Sequence, residues 1–290
     1  PQQALLLAVE ALRLSSDRDA PLSHGVEQGM HDVLHATGGA PIPAGDAYAT
    51  ALALNPDARW VALANEMGQV LQWPLDQPAA PPTELAPAGE PIVWALAASN
   101  DDALAAVDEA GDIRVWLADN KGGAPLRLQT GSPLFTVTFT PDAQAVVAGG
   151  SDGALYIWFF NQPEVAPIVL QGHTDAVNVV AASLDGRWLA SGGADNRVLL
   201  WPVDRLDSPI LAATHDAPVS VLDFSSDATS LASGDSGGGV QLYDLATMPD
   251  TAQRLPSQSG RVSAMDFSLN GRWLATGDEN GVVRLWSLDN

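Results

Sequence analysis

Apolar and polar positions along this 290-residue chain alternate in short runs, each run is closed by a turn former, and the whole arrangement recurs. Segments such as Val282-Val283-Arg284-Leu285-Trp286 and Trp188-Leu189-Ala190 have the length and period of half-buried strands. Aromatic residues mark the recurrence: Trp73, Trp116, Trp158, Trp201, Tyr243 and Trp286 stand 43, 42, 43, 42 and 43 residues apart. Five residues before each lies Gly68, Gly111, Gly153, Asn196, Gly238 or Gly281, types that tolerate the positive φ of a tight hairpin. Sixteen residues before each lies a second polar turn residue: Asp57, Asn100, Asp142, Asp185, Asp227 or Asn270. Each unit therefore reads as strand, turn, strand, turn, strand and a looser outer strand such as Ile168-Val169-Leu170, a four-stranded antiparallel sheet.

Self-similarity at about 40–45 residues is the period of propeller blades. With its turns, the chain resembles a WD-repeat β-propeller from about Gly39 to Asn290. The best unit reads Gly172-His173-Thr174-Asp175, Ser183-Leu184-Asp185-Gly186, Leu189-Ala190-Ser191-Gly192-Gly193 and Trp201. The resemblance implies a brace of Asp, His, Ser or Thr, and Trp in each blade, which blade four supplies as His173, Ser191, Asp195 and Trp201. Blade five offers His215, Ser233 and Tyr243, with Gly237 in the Asp place. Blade six keeps Thr276 and Trp286, with Gln258 for the His and Asn280 for the Asp. Leu63, Ala106 and Ala148 replace the hydroxyl in the first three blades, where apolar packing is expected to dominate. The fold class expected is all-β: a six-bladed WD-repeat propeller, seven blades being the alternative, preceded by an N-terminal helical pair.

A propeller joins its last blade to its first or leaves strand edges unpaired. Outer strands lie about 31 residues before the next aromatic, and that offset before Trp73 lands on Ile42. Gly39 to Pro43 is thus expected as the outer strand of the sixth blade, an edge position where proline is tolerated. The organisation expected is a helical pair and linker over 1–38 and a propeller over 39–290. Its blades fall at about 46–85, 90–128, 131–170, 174–212, 216–255 and 259–290, the last completed by 39–43. Ala4 to Leu14 is built of strong helix formers, and a second helix is expected from about Leu22 to His35. The pair resembles one that precedes propellers in large bacterial signalling and conflict proteins, which implies an ATPase, caspase-like or other effector module upstream. A chain that starts at Pro1 without Met fits a piece of a longer protein.

Charge narrows the partners. Thirteen Lys and Arg against 35 Asp and Glu give a formal charge of −22. This argues against a nucleic-acid backbone and an anionic membrane surface, and favours a basic protein partner. Without cysteine there are no disulfides or thiolate metal sites, and no cofactor is expected. No signal peptide or membrane span is visible, which points to the cytoplasm.

Three segments invite a chemical reading. Gly234-Asp235-Ser236-Gly237-Gly238 looks like the nucleophile loop of trypsin-like proteases, yet it ends on the turn position of blade five. His31-Asp32-Val33-Leu34-His35, one turn after Glu27, resembles a zinc-protease helix but has no third ligand at a suitable spacing. Gly149 to Gly153 is glycine-rich but lacks the lysine of a phosphate loop. No enzyme is expected.

Seven residues before the aromatic, Glu66, Glu109 and Glu279 occupy blades one, two and six, with Asp108, Asp235 and Asp278 beside that row. Large or polar groups at the lead-in to the first strand are Tyr48, Phe135, Asn178 and Arg261. Trp94 aligns on the aromatic ruler with Ala51, Thr136, Val179, Val221 and Ala264. In a closed six-membered ring the three glutamates form an acidic arc. The function expected is a protein-recognition or sensor module that binds a basic or Arg-containing segment on this face and relays to an upstream effector. The alternative is a purely structural scaffold in a multi-subunit assembly.

Overall fold

The computed structural model describes residues 48–288 except 58, 78–79, 119–122, 163 and 248–251. The expected helical pair, the His31/His35 motif and the strand at Gly39 to Pro43 lie outside the described residues. Six antiparallel sheets follow one another along the chain. The first contains β1 (Ala49–Leu54), β2 (Trp60–Asn65), β3 (Val70–Pro74) and β4 (Thr83–Ala86). The second contains β5 (Val93–Ala98), β6 (Leu104–Asp108), β7 (Asp112–Trp116) and β8 (Leu126–Gln129). The third contains β9 (Leu134–Phe139), β10 (Ala145–Gly150), β11 (Ala154–Phe159) and β12 (Ile168–Gln171). The fourth contains β13 (Val177–Ala182), β14 (Trp188–Gly193), β15 (Arg197–Pro202) and β16 (Ile210–Thr214). The fifth contains β17 (Val219–Phe224), β18 (Ser230–Asp235), β19 (Val240–Asp244) and β20 (Gln253–Leu255). The sixth has three strands among the described residues: β21 (Val262–Phe267), β22 (Trp273–Asp278) and β23 (Val283–Ser287).

Local chemistry sets both hairpins. Gly68, Gly111, Gly153, Asn196, Gly238 and Gly281 all take φ between 66° and 90°, as a hairpin turn of this hand requires. In the other turn Asp142, Asp185, Asp227 and Asn270 accept the amide N–H two residues on, at 3.0–3.1 Å. The residue just after each of them enters the left-handed region, Ala143 and Ala228 included. In the second sheet that residue is Asp102, one position closer to its aromatic than elsewhere, and β6 has five residues rather than six.

Each sheet packs on the next by one repeated contact. Val70, Ile113, Leu155, Val198 and Val240, three residues before the aromatic, are 0–1 % exposed. They share apolar clusters with Val93, Leu134, Val177, Val219 and Val262, which open the following inner strands. Full burial of such a side chain contributes about 1.5–3 kcal/mol. Close approach explains the Gly-Gly pair in β10: a Cβ on Gly149 would stand 2.5 Å from Val177 Cγ1. The series ends at Val283, which is 41 % exposed. The cluster of Ala275, Trp273 and Leu285 on that side of the sixth sheet stays separate from the Val61, Leu63, Leu71 and Trp73 cluster of the first. Direct packing of the sixth sheet on the first, which adjacency of Glu279 and Glu66 requires, is therefore not found among the described residues.

The polar brace is present where the sequence supplies it. In the fourth sheet His173 Nδ1 meets Asp195 Oδ1 at 2.9 Å, and His173 Nε2 meets Ser191 Oγ at 2.8 Å. Trp201 Nε1 donates to the same Ser191 Oγ at 2.8 Å. Burial holds the His173 imidazole below its usual pKa, against the pull of Asp195. The fifth sheet corrects the sequence reading. The acid is Asp235, not the Gly237 position: its Oδ2 meets His215 Nδ1 at 2.8 Å, and His215 Nε2 reaches Ser233 Oγ at 2.6 Å. Two residues earlier on the strand, Asp235 covers the same gap and caps its own turn. Its Oδ1 accepts the N–H groups of Gly237 and Gly239, both at 2.8 Å. In the sixth sheet Thr276 Oγ1 accepts from Trp286 Nε1 at 2.9 Å and from Gln258.

Candidate functional site

The inner strands of all six sheets begin in the same way. The carbonyl of the lead-in residue accepts an amide N–H from the turn before the third strand, seven residues ahead of the aromatic. The pairs are Tyr48 with Glu66, Ile92 with Glu109, Pro133 with Ser151, Ala176 with Ala194, Pro218 with Ser236 and Arg261 with Glu279, at 2.8–3.2 Å. Two residues further on, each inner strand carries a one-residue bulge. The unpaired bulge residues are Thr50, Trp94, Phe135, Asn178, Ser220 and Ser263. A bulge leaves its residue free of the ladder and re-aims the side chain, commonly at a rim.

Four of the bulge residues meet at one place. Trp94, Phe135, Asn178 and Ser220, with Pro218, Val219, Ser236 and Arg261, line a depression of about 400 Å³. Asn178 Nδ2 donates to the Val219 carbonyl at 3.0 Å, and the Ser220 hydroxyl donates to the Val262 carbonyl at 2.6 Å. Each bond ties one sheet to the bulge of the next, so the polar half of the rim is rigid. Trp94, by contrast, is 47 % exposed.

The structure sorts the sequence-derived residues. Phe135, Asn178 and Arg261 come together in the depression, whereas Tyr48, 79 % exposed, lies outside its lining. Tyr48 and Arg261 are lead-in residues and Phe135 and Asn178 are bulge residues, two registers that the sequence reading had merged. Trp94 belongs with Thr50 and Phe135, not with Ala51 and Thr136. The missing residue between the second sheet's first turn and its aromatic shifts the ruler by one. Glu66, Glu109 and Glu279 are exposed, and the Glu66 and Glu279 carboxylates accept the backbone N–H of Tyr48 and Arg261 at 3.4 and 3.3 Å.

Asp108 and Asp278 are corrected: at 1 % and 2 % exposure they are not accessible for direct contact with a partner. Their Oδ1 atoms cap the turn amides of Ala110 and Asp112, and of Asn280 and Val282, all at 3.0 Å. Burial raises the Asp108 pKa, while the Ser259 hydroxyl and the turn amides lower that of Asp278. Asp108 also faces the buried guanidinium of Arg114 at 3.7 Å, with Glu90 on the other side at 3.8 Å.

The Ser191–His173–Asp195 and Ser233–His215–Asp235 chains have the contacts of a nucleophile, base and orienting acid. Both hydroxyl-bearing residues are fully buried, and each Oγ is already bonded, to Trp201 or Tyr243. A substrate has no path to them, so they serve as braces. Ser236 of the protease-like pentad has no histidine partner among the described residues; its N–H bonds the Pro218 carbonyl. Among the described residues no group of acids and histidines is placed to hold a metal, and no helix is long and apolar enough to cross a membrane.

Repeated sheets, turns and braces of this kind define a class, and comparison with known proteins agrees. Residues 123–158, 166–202, 210–244 and 250–287 match the WD domain, G-beta repeat. These segments make up half of the chain, which belongs to the WD-repeat family of β-propellers. It is similar to Target of rapamycin complex subunit wat1 of Schizosaccharomyces pombe, 27% identical over 161 residues covering 53% of this chain and 51% of the relative. It is also similar to Actin-interacting protein 1-2 of Arabidopsis thaliana, 28% identical over 160 residues covering 54% of this chain and 25% of the relative. The matches thus span about half or less of these relatives. A chain in the Crystal Structure of Mitotic Checkpoint Complex superposes with a TM-score of 0.68 at 18% identity, covering 84% of this chain and 78% of that one. At that identity the likeness concerns the fold alone.

Proposed function

We propose that this chain is a non-catalytic recognition disc that binds a segment of another protein on the face bearing the lead-in residues and third-strand turns. The gathering of four bulge residues around an exposed Trp94 carries this reading. An aromatic left in water beside a rigid polar rim is the composition of a binding hot spot rather than of a brace. The partner proposed is basic. Glu66 and Glu109 stand exposed on neighbouring sheets, and a chain of charge −22 steers cations towards it. Relay of occupancy to an effector module upstream rests on the resemblance of the leading segment alone.

The test is a pull-down with quantitative mass spectrometry, comparing wild type with Glu66→Lys/Glu109→Lys and with Trp94→Ala. Specific partners are expected to be lost while the melting temperature stays unchanged. An identical set of partners on all three proteins would overturn the proposal. A second reading, scaffolding within an assembly, is favoured by the relative whose name makes it a subunit of a complex. It requires partners that survive the three substitutions and are released by changes elsewhere on the disc.

A further inference from the structure

The depression has a charge of its own, opposite to that of the disc. Among its lining residues only Arg261 ionises. The Arg261 backbone is fixed by Glu279 through both its N–H and its carbonyl, yet the guanidinium has no ion pair among the described residues. Asn178 and Ser220 have committed donors to neighbouring carbonyls. The hydrogen-bond donors that remain on the lining are the Arg261 guanidinium, the Ser236 hydroxyl, the second Asn178 Nδ2 N–H and the Trp94 indole N–H, and of these only the guanidinium is charged.

We infer that this depression takes a single carboxylate, from an internal Asp or Glu of the bound segment, with an adjoining apolar or aromatic side chain on Trp94 and Phe135. One guanidinium matches one carboxylate in a bidentate pair. A phosphate dianion would face the exposed glutamates and the net charge of −22 with the same lone cation. An internal acid suits the geometry better than a chain end, because the segment must run on past the depression to reach Glu66 and Glu109. The inference rests on the recognition reading above and specifies it: an acidic anchor within a basic segment.

A phage-displayed library of random 12-residue peptides, panned on the full chain, tests it. The strongest peptide is then synthesised and titrated calorimetrically against wild type, Arg261→Gln, Arg261→Glu and Glu66→Lys/Glu109→Lys. Selected peptides are expected to share an internal acid beside an apolar residue. Arg261→Gln is expected to weaken binding about ten- to a hundredfold without moving the melting temperature. Replacing the peptide acid by its amide should cause the same loss in wild type and none in Arg261→Gln, and Arg261→Glu should accept the peptide with Lys at that place. Peptides without an acid, acids found only at the C-terminus, or unchanged affinity for Arg261→Gln overturn the anchor. If Glu66→Lys/Glu109→Lys abolishes binding while Arg261→Gln does not, the anchor falls and the recognition face stands. A library that yields no binder overturns both.

Discussion

Replacing Asp223 by Asn should make this protein more stable, and increasingly so as the pH rises. Asp223 lies on β17, and its Oδ2 accepts the N–H of Phe267 in the sixth sheet at 2.9 Å. Asp266 holds the equivalent place on β21. Burial, then the neighbouring Asp266, pushes the Asp223 pKa up to about 8, and burial pushes Asp266 up to about 6. A carboxyl whose folded pKa exceeds its unfolded value near 3.8 binds a proton in the native state that the unfolded state has released. Stability from this group is fully present below about pH 4 and is lost progressively up to about pH 8.

Roughly four pH units at 1.36 kcal/mol each set a ceiling of about 5–6 kcal/mol. Asp223 keeps part of its surface accessible, so about half of that, about 2–3 kcal/mol at pH 9, is the expected gain. Asn keeps an oxygen for the Phe267 N–H and cannot ionise. Urea unfolding followed by tryptophan fluorescence at pH 4, 6, 7.5 and 9 reads the effect. The wild-type and Asp223→Asn curves should meet near pH 4 and diverge above it. Parallel curves across that range would refute the reasoning.

Three further outcomes follow from the packing. Ser191→Ala strands the buried Trp201 N–H and one His173 nitrogen, and should cost about 2–3 kcal/mol in chemical unfolding. Arg114, 1 % exposed, is the cation that faces Glu90 and the buried Asp108, so Arg114→Met leaves Asp108 without its counter-charge and should cost about 3–5 kcal/mol in urea unfolding at neutral pH; unchanged stability would contradict the pairing. Gly111 has φ of 82° and its missing Cβ would strike the Ser132 carbonyl, so Gly111→Ala should lower stability by about 2–4 kcal/mol, measured as a shift in urea midpoint.

What the sequence disclosed was whatever is local. The hairpin turns were legible because Gly or Asn at a fixed distance from the aromatic has one conformational reason to be there. The brace of the fourth sheet was legible for the same cause. Asp235 was missed because a carboxylate two residues earlier on the strand reaches the same histidine, and spacing alone does not separate the two solutions. The register of Trp94 was lost because the second sheet drops a residue upstream of the turn that anchors the ruler. Phe135, Asn178 and Arg261 stand out by size and polarity, but the bulges at Trp94, Phe135 and Asn178 that bring those side chains to the same depression leave no mark in residue type. Asp108 and Asp278 look like any other acid in an acidic chain. Only the turn amides around them reveal that their charge is spent inside.

The unmatched Val283 has a consequence for how the molecule comes apart. Where every sheet rests on the one after it, cohesion is summed over neighbours, and among the described residues the sixth sheet shares an apolar cluster with the fifth alone. Amide protons of β22 and β23 should then trade with deuterated solvent sooner than those of β10 or β14, setting up a gradient along the chain. Melting would begin at that margin and travel inward.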